Sequence, residues 1–454
     1  MRSASRPGFT VVELMVAITA GLAVSLAAYT LSKSSVEVFQ QEARMNAAQF
    51  SSTTGLNRLT TDIKRAGFQT TPEVAGDPNV CMQPGGAEPE PELLSAVRIY
   101  DGVTNGTDAF ATNTYGGTSA VGASGNYPVL PAALAHAANA RLPDRIRLSA
   151  NFTASTSFRV SRIETPGLIW LDIDQLAVQR LFAQERAGGI GICDIFGGLK
   201  VPDADDDPLN DQRAFALGAA PAMRVVANAG RSRFVILTNC TSAPAGVAMG
   251  AVNNYTSVTM QVASLPSGPG CAPLEGLSSG YVNPVHFVDY AVVGAANLGA
   301  LGLPPSVAAL GTEDAALATV TGSASRAMLV RRELDAVGAP IPGSAELISD
   351  FVVDLNFSVR TRETDGTTLV VPFDSATAVS AIPTNRIRTV GVRLSTRARN
   401  PDRPVGQNPV PGSDQALGRF NAFAGTTTNV RDQFARVRTM FSEITLPNMQ
   451  GNSF

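Results

Sequence analysis

Four aspartates in the middle of the chain have the spacing of a calcium-binding loop. They occupy the first, third, fifth and ninth positions of such a loop and are Asp203, Asp205, Asp207 and Asp211. Pro208 replaces the glycine that the sixth position needs for its sharp turn, and Ala214 stands where the bidentate glutamate belongs. Two interpretations stay open, a weak calcium site and a solvated acidic turn, and these two substitutions favour the turn.

The chain has four cysteines, at positions that allow three disulfide pairings. They are Cys81, Cys193, Cys240 and Cys271. All four follow an apolar N-terminal segment, so export of the residues beyond it would place them in an oxidising compartment. The spacing of the cysteines does not determine which of them are paired. We prefer Cys81–Cys193 with Cys240–Cys271, because each disulfide then joins cysteines that are neighbours in the sequence and the two are neither nested nor crossed. A zinc site is the weaker alternative, since no two cysteines have C-x2-C spacing.

Residues for enzyme chemistry or nucleic-acid binding are sparse. With only two histidines, His136 and His286, neither a multi-histidine metal site nor a histidine-dependent triad is expected. Twelve arginines and six acidic residues lie between Arg360 and Arg438, but aromatic residues are not interleaved with them. We expect these arginines on the solvent side of strands such as 386–397. No enzyme activity, cofactor or nucleic-acid partner is therefore predicted.

The N-terminal segment is the most informative part of the chain. From Phe9 to Leu31 it carries one charged residue, Glu13, and as a helix it would span a hydrocarbon core of about 30 Å. Arg2 and Arg6 precede it, which predicts a cytoplasmic N-terminus and an exported remainder. A secretory signal peptide, a signal anchor and a pilin-precursor signal compete as interpretations. A carboxylate near the start of the apolar segment opposes membrane insertion and counts against an ordinary signal peptide.

This start resembles the class III signal of type IV pilins and their relatives. A short basic leader ends in Gly8, Phe9 follows, and Glu13 stands four positions later, ahead of an uninterrupted apolar run. Further short segments resemble PilW-type minor pilins and occur in the same order. They are Arg65–Phe68, Ala96–Gly102, Pro143–Leu148, Phe234–Cys240, Val288–Val292, Met328–Glu333 and Arg436–Asn448. Pro447 departs from the Leu-Arg-Asn ending of that family.

The resemblance implies processing and assembly. A prepilin peptidase would cut after Gly8 and methylate the new amine of Phe9. Glu13 would then lie about 6 Å along the helix from that amine. In a filament it would pair with the corresponding amine of a neighbouring subunit, because a buried carboxylate needs a partner. The implied partners are the peptidase, other minor pilins, the major pilin and a PilY-type adhesin. The implied locations are the inner membrane, with the head in the periplasm, and then the extracellular pilus tip.

Helical spacing continues beyond the apolar segment. Apolar residues recur every three to four positions, at Phe39, Ala43, Ala47, Phe50, Leu56, Leu59, Ile63 and Ala66. Gly67 is a candidate C-cap, with Phe68 as its apolar contact. One helix of roughly 87 Å is therefore predicted over residues 9–66. We expect the stripe over 39–66 to pack against the chain's own sheet.

In the rest of the chain, the sequence pattern predicts strands and loops. Apolar and polar residues alternate over 351–359 and 390–395, as in half-buried antiparallel strands. Further strands are predicted at Arg145–Leu148, Arg224–Ala227, Arg233–Leu237, Ser257–Val262, Val285–Val293 and Ala327–Val330. Helices are predicted over Pro131–Ala140 and over Asp174–Gln184, with Asp174 as N-cap. Residues 102–130 and 400–430, rich in Gly, Asn, Thr and Pro, are predicted loop insertions.

These elements predict an α+β fold, because strands dominate and helices do not alternate with them. The chain of 454 residues, 44% of them hydrophobic, can bury a sizeable core. We divide it into a cleaved leader (1–8), a helix (9–68, with its transmembrane segment over 9–31) and a head (69–454). The helix is expected to pack on a globular head that is rich in antiparallel sheet and carries long loop insertions.

A structural function follows from the resemblance, and alternatives stay open. The first hypothesis is a minor pilin that primes pilus assembly in a tip complex and presents an adhesin, since so large a head would be awkward within a tightly packed shaft. The alternatives are a J-type minor pseudopilin of a type II secretion system and a pilus-tip module for adhesion or DNA binding.

Overall fold

The computed structural model describes part of the chain. The described residues are 10–74, 77, 80–81, 93–100, 143–165, 167–187, 189–196, 198–200, 213–215, 221–227, 232–244, 255–262, 280–294, 327–341, 343–373, 382–398, 419–421 and 434–449. The predicted helix Pro131–Ala140 and most of the predicted loop insertions lie outside these residues. Within the second insertion, Arg419–Asn421 forms a strand, so that part of the loop prediction is wrong.

One long helix, α1, spans Val11–Arg65 and contains 55 residues, which corresponds to about 80 Å. Thr10 is its N-cap and Ala66 its C-cap. Gly67 follows with a φ of +76°, a left-handed conformation that glycine adopts without strain. The predicted glycine stop therefore lies one residue beyond the C-cap.

The C-terminal end of α1 is also closed by a distant side chain. The Asn448 amide, in the 3-10 turn Pro447–Met449, donates to the carbonyl oxygens of Lys64, Arg65 and Ala66 at 3.2–3.4 Å. These carbonyls belong to the last turn, whose carbonyl oxygens lack intrahelical partners. The C-terminal segment thus fastens the end of the helix to the head.

We expect Asn448→Ala to lower the free energy of unfolding by about 1 kcal/mol, because it leaves helix-end carbonyls without a donor. Urea denaturation of the full chain in detergent micelles measures the change. Asn57→Ala is the matched control, since Asn57 is exposed on the same helix, and its effect should stay within about 0.5 kcal/mol. Equal effects of the two substitutions would contradict a capping role for Asn448.

The head is built from seventeen described strands and two further short helices. The strands are β1 Val97–Tyr100, β2 Arg145–Ala150, β3 Phe158–Glu164, β4 Leu168–Leu171, β5 Gly198–Lys200, β6 Arg213–Phe215, β7 Ala222–Ala227, β8 Ser232–Pro244, β9 Tyr255–Val262, β10 Gly280–Gly294, β11 Ala327–Leu334, β12 Glu346–Ser349, β13 Val352–Arg362, β14 Thr368–Val371, β15 Ile387–Arg397, β16 Arg419–Asn421 and β17 Phe434–Thr445. The helices are α2 Leu176–Arg186 and α3 Ile192–Ile195. The N-terminal helix and the strand-rich head with antiparallel sheets are consistent with the predicted α+β class.

Six strands close into an antiparallel barrel. The pairing runs β10–β3–β4–β9–β8–β7 and returns from β7 to β10. Because the barrel closes, each of these six strands is paired with a neighbouring strand on both sides, and none of them is an edge strand of the barrel. Apolar side chains of α2 and α3, including Val178, Phe182 and Ile192, pack into the same core as the barrel strands. The predicted N-cap of α2 is wrong: Gln175 precedes the helix instead of Asp174 and makes no side-chain cap bond.

Strand β10 joins the barrel to a second sheet. Its first part, residues 280–285, pairs within the barrel, while its later residues pair with β2 on one side and β11 on the other. Strands β1 and β12 extend this central sheet at its two ends. Because one strand runs through both, the barrel and the central sheet share a continuous hydrogen-bonded backbone.

A third sheet, in the order β14-β13-β15-β17-β16, shares a core with α1 and the central sheet. Its inner face carries alternating residues such as Leu355, Phe357 and Val392. The alternation predicted over 351–359 fails at its start. Phe351 has a φ of +53° and precedes the strand, and a register shift at Val353 brings both Val352 and Val353 into the core.

Two arginines of β15 contradict the solvent-facing prediction. Arg393 and Arg397 are fully buried. Arg393 Nε donates to Asp354 at 2.7 Å, and its guanidinium lies over the Phe373 ring. The outer face of this sheet is therefore covered at Arg393, and a paired charge lies where alternation alone predicted solvent.

Candidate functional site

The first half of α1 is apolar on every side. Val11–Lys33 is long and apolar enough to cross a membrane, and none of it is buried against the head. Large side chains such as Val12, Leu22 and Leu31 are exposed around the helix. A helix that is apolar all round is stable only when lipid or other helices cover it. This segment therefore requires an environment that the chain itself does not supply.

Both threonine hydroxyl groups of this segment are satisfied within the helix. Thr19 Oγ1 donates to the carbonyl oxygens of Met15 and Val16 at 3.0 Å, and Thr30 Oγ1 donates to Ala27 at 2.9 Å. Such bonds remove the cost of placing a hydroxyl in hydrocarbon. The segment can therefore be covered by lipid although it contains polar residues.

Glu13 and Thr10 form a capping box at the start of α1. Glu13 N donates to Thr10 Oγ1 at 3.3 Å, while Thr10 N and Thr10 Oγ1 each donate to Glu13 Oε2 at 3.0 Å. Carboxylate and hydroxyl thus satisfy donors that helix geometry leaves open. The T-x-x-E spacing of residues 10–13 could have predicted this box. Gly8 and Phe9 lie outside the described residues.

The last turns of α1 are built into the head. Ser52, Leu56, Leu59 and Ile63 are buried, which confirms the second part of the predicted stripe. Gly55 lies so close to β12 that a Cβ there would meet the Ser349 Cβ at 2.9 Å. Glycine at this position therefore permits close approach of helix and strand.

A buried polar cluster fixes the helix to the central sheet. Asp62 Oδ2 accepts hydrogen bonds from the Tyr290 hydroxyl at 2.7 Å and from Arg331 Nε at 3.0 Å. Arg331 Nη1 also donates to Glu333 Oε1 at 3.0 Å. Burial, followed by the Asp62 carboxylate, raises the pKa of Tyr290 above its usual value, so that the phenol remains a donor. No local pattern in the sequence indicates this cluster.

The first part of the predicted stripe does not pack against the head. Phe39 is 72% exposed and Phe50 is 76% exposed, and Ala43 is exposed too. The prediction that residues 39–66 pack on the chain's own sheet is wrong for these residues. Described contacts with the third and central sheets begin near Ser51, whose hydroxyl lies 2.9 Å from the Ser349 hydroxyl. The aromatic residues before it extend the uncovered surface of α1.

The preferred disulfide pairing is wrong. Cys193 of α3 is bonded to Cys240 of β8, with the two Cα atoms 5.7 Å apart. Barrel closure places α3 against β8, so proximity in the fold overrides proximity in the sequence. Cys81 is also disulfide-bonded, and Cys271 lies outside the described residues. The covalent link therefore holds a helix at one end of the barrel.

The remaining predicted sites are not brought together in the described part of the chain. The calcium-spaced aspartates Asp203, Asp205, Asp207 and Asp211 all lie outside it. Within the described residues, no group of three or more His, Cys, Asp or Glu side chains is arranged to hold a metal ion. The candidate functional site is consequently α1 itself, with its capped start, uncovered first half and fastened end.

Comparisons with protein-family models, with curated proteins and with solved structures give no match to this chain.

Proposed function

We propose that this chain is a minor pilin of a type IV pilus, which primes assembly within a tip complex and presents an adhesin. One observation carries the proposal: a single helix joins an uncovered apolar segment, Val11–Lys33, to last turns that are built into an antiparallel head. A subunit that moves from a membrane into a filament needs both surfaces. The leader that ends at Gly8 supports the same function through its resemblance to pilin precursors.

Two environments can cover the first half of α1. In the inner membrane lipid covers it, with the head in the periplasm. In a filament the helices of neighbouring subunits replace the lipid, and association relies on close packing and on polar groups within the apolar segment. Glu13 is the single carboxylate in this segment, so it can supply a charged polar group for association between helices. We propose that it exchanges the Thr10 hydrogen bond for the amine of a neighbouring Phe9.

The exposed aromatic residues of α1 support assembly with other subunits. Phe39 and Phe50 lie beyond the membrane-length segment and are not covered by the described head. Water-exposed apolar stripes of this kind mark protein interaction surfaces. We propose that helices of other minor pilins cover them. A head over 69–454 would crowd a packed shaft, which supports a place at the tip beside an adhesin.

Glu13→Ala is expected to reduce the amount of this chain in sheared filaments at least tenfold, while cleavage after Gly8 stays normal. The reason is that the apolar segment loses its one carboxylate, but the peptidase site is unchanged. Immunoblots of membrane and filament fractions measure the distribution. Thr10→Val is the matched control, because it removes the hydroxyl of the capping box and keeps the carboxylate. Normal incorporation of the Glu13→Ala chain would contradict the proposed role of Glu13.

A further inference from the structure

Among the described strands, β14 lies at one edge of the third sheet, and no described strand pairs with its outer side. Its hairpin turn has Gly366 at a φ of +83°, and Glu363 N donates to the Thr367 carbonyl at 2.8 Å. In two antiparallel strands, residues that lie opposite each other are hydrogen-bonded at every second position. Glu363 and Thr367 are hydrogen-bonded, so Thr361 and Leu369 are the next hydrogen-bonded residues along the strands. The backbone groups of Thr368 and Val370 therefore point away from the sheet. They offer two donors and two acceptors to another strand.

Within the described part of the chain, this edge lacks the usual protection against pairing. Strand β14 reads Thr-Leu-Val-Val, without a charged residue, and Leu369 and Val370 are 47% and 51% exposed. Edge strands are normally guarded by charges, bulges or covering segments. Pro372, just beyond β14, limits the open edge to a short stretch. A short, apolar and unguarded edge is suited to pairing with an extended segment of another chain.

A cleft of about 420 Å³ lies beside this edge on the outer face of the sheet. Val370, Pro372, Phe373 and Phe441 form its apolar walls. The two phenyl rings meet edge to face, with their centroids 6.0 Å apart. Gly391 also lines the cleft, and a Cβ there would overlap the Ser358 hydroxyl. A side chain of a strand added to β14 would thus enter a preformed aromatic pocket.

The charges near the edge select the partner. Arg360 is paired with Glu443 at 2.9 Å. Arg362 lies opposite Thr368 and is exposed, and among the described residues no carboxylate is paired with it. Partial burial and then the nearby Arg362 guanidinium lower the pKa of Arg388, so two like charges lie close together. A carboxylate on the added strand would relieve this repulsion.

We infer that the β14 edge and its cleft bind an extended segment of a different protein, with a large apolar residue for the aromatic pocket and an acidic residue for Arg362. A second copy of this chain fits less well, because β14 paired with β14 would add a second Arg362, and the strand Thr-Leu-Val-Val itself carries no carboxylate. The inference does not depend on the filament role, since the surface belongs to the head alone.

The test uses the full chain in its own cells, with photoreactive benzoylphenylalanine in place of Phe441. After irradiation, mass spectrometry sequences the attached peptides. We expect adducts to one segment of a different protein, with an acidic residue within three positions of the attachment point. Val370→Pro removes an outward N–H without removing a bond to β13, and Arg362→Glu reverses the selecting charge. Each should reduce the adduct yield at least fivefold.

Arg438→Glu is the matched control, because Arg438 is exposed on the opposite face of the same sheet. Its adduct yield should equal that of the parent chain, and all variants should show the parent's pattern of resistance to proteinase K. Adducts to a second copy, to scattered unrelated segments or to no protein would overturn the inference. Yields unaffected by both Val370→Pro and Arg362→Glu would overturn it as well. Leader cleavage and filament incorporation are scored separately, so failure here leaves the proposed function untouched.

Discussion

Replacement of Asp62 with alanine is expected to lower the free energy of unfolding of the head by about 2–3 kcal/mol. The substitution leaves the Arg331 guanidinium buried without the carboxylate that lies 3.0 Å from it, and it removes the acceptor of the Tyr290 hydroxyl. Arg331 then keeps only Glu333 of its two carboxylate partners, so the cost of burying its charge is less fully offset. The same change detaches the last turns of α1 from the central sheet.

Urea denaturation of the full chain in detergent micelles measures this loss. Arg58→Ala is the matched control: Arg58 lies on the same helix and is 3.6 Å from Glu346, but both side chains are about half exposed, at 45% and 52%. An exposed pair of this kind contributes less than about 1 kcal/mol. Tyr290→Phe, which removes one hydrogen bond and keeps the ion pair, should cost about 1 kcal/mol. A loss for Asp62→Ala no greater than that for Arg58→Ala would contradict the anchoring role of the cluster.

Gly8→Leu is expected to leave nearly all of the chain uncut in the membrane and to remove it from filaments. The physical reason is steric: glycine puts no side chain beside the bond to be cleaved, whereas leucine adds a branched one. The precursor then keeps its basic leader, whose charges hold the N-terminus on the cytoplasmic side. The effect should be close to all-or-none, since a chain with that leader cannot enter a filament.

Ala4→Leu is the matched control, because it adds the same side chain to the leader away from the cleavage point. It should be cut normally. The mass of the membrane-bound chain distinguishes the two states, since the precursor retains residues 1–8. Complete maturation of the Gly8→Leu chain would show that Gly8 does not define the cleavage point.

Sequence patterns predicted the helix and strands that depend on interactions between residues close together in the chain. The helix predicted over residues 9–66 is found as α1 over 55 residues, and the glycine after its end is where a left-handed residue is needed. Strands such as β10 and β11 contain the apolar runs predicted for them. The T-x-x-E capping box was equally local, and its spacing at Thr10 and Glu13 would have sufficed to predict it.

Interactions between distant residues could not be predicted in the same way. Asp62 binds Tyr290 and Arg331, which are more than 200 positions away, and its position on α1 carries no local sign of burial. The Cys193–Cys240 bond depends on barrel closure, which requires six strands from a long stretch of chain. Arg393 is buried because Asp354 and Phe373 meet it from two other segments. Alternation indicates which face a residue takes, but not what covers that face.

The stripe on α1 illustrates the same limit. Phe39 and Leu59 satisfy one helical pattern, but only Leu59 is buried in the head. Periodicity shows that a face is apolar and leaves open whether the chain itself or another molecule covers it. The uncovered part of α1 is the part on which the proposed assembly function depends.

Mass spectrometry of purified pili tests the proposed function most directly. We predict that the chain is present in substoichiometric amounts, begins at Phe9 and carries a methyl group on the Phe9 amine. Filaments from cells that lack the chain, prepared in parallel, provide the control. Absence of the chain from filaments, together with a membrane form that keeps residues 1–8, would contradict the proposal.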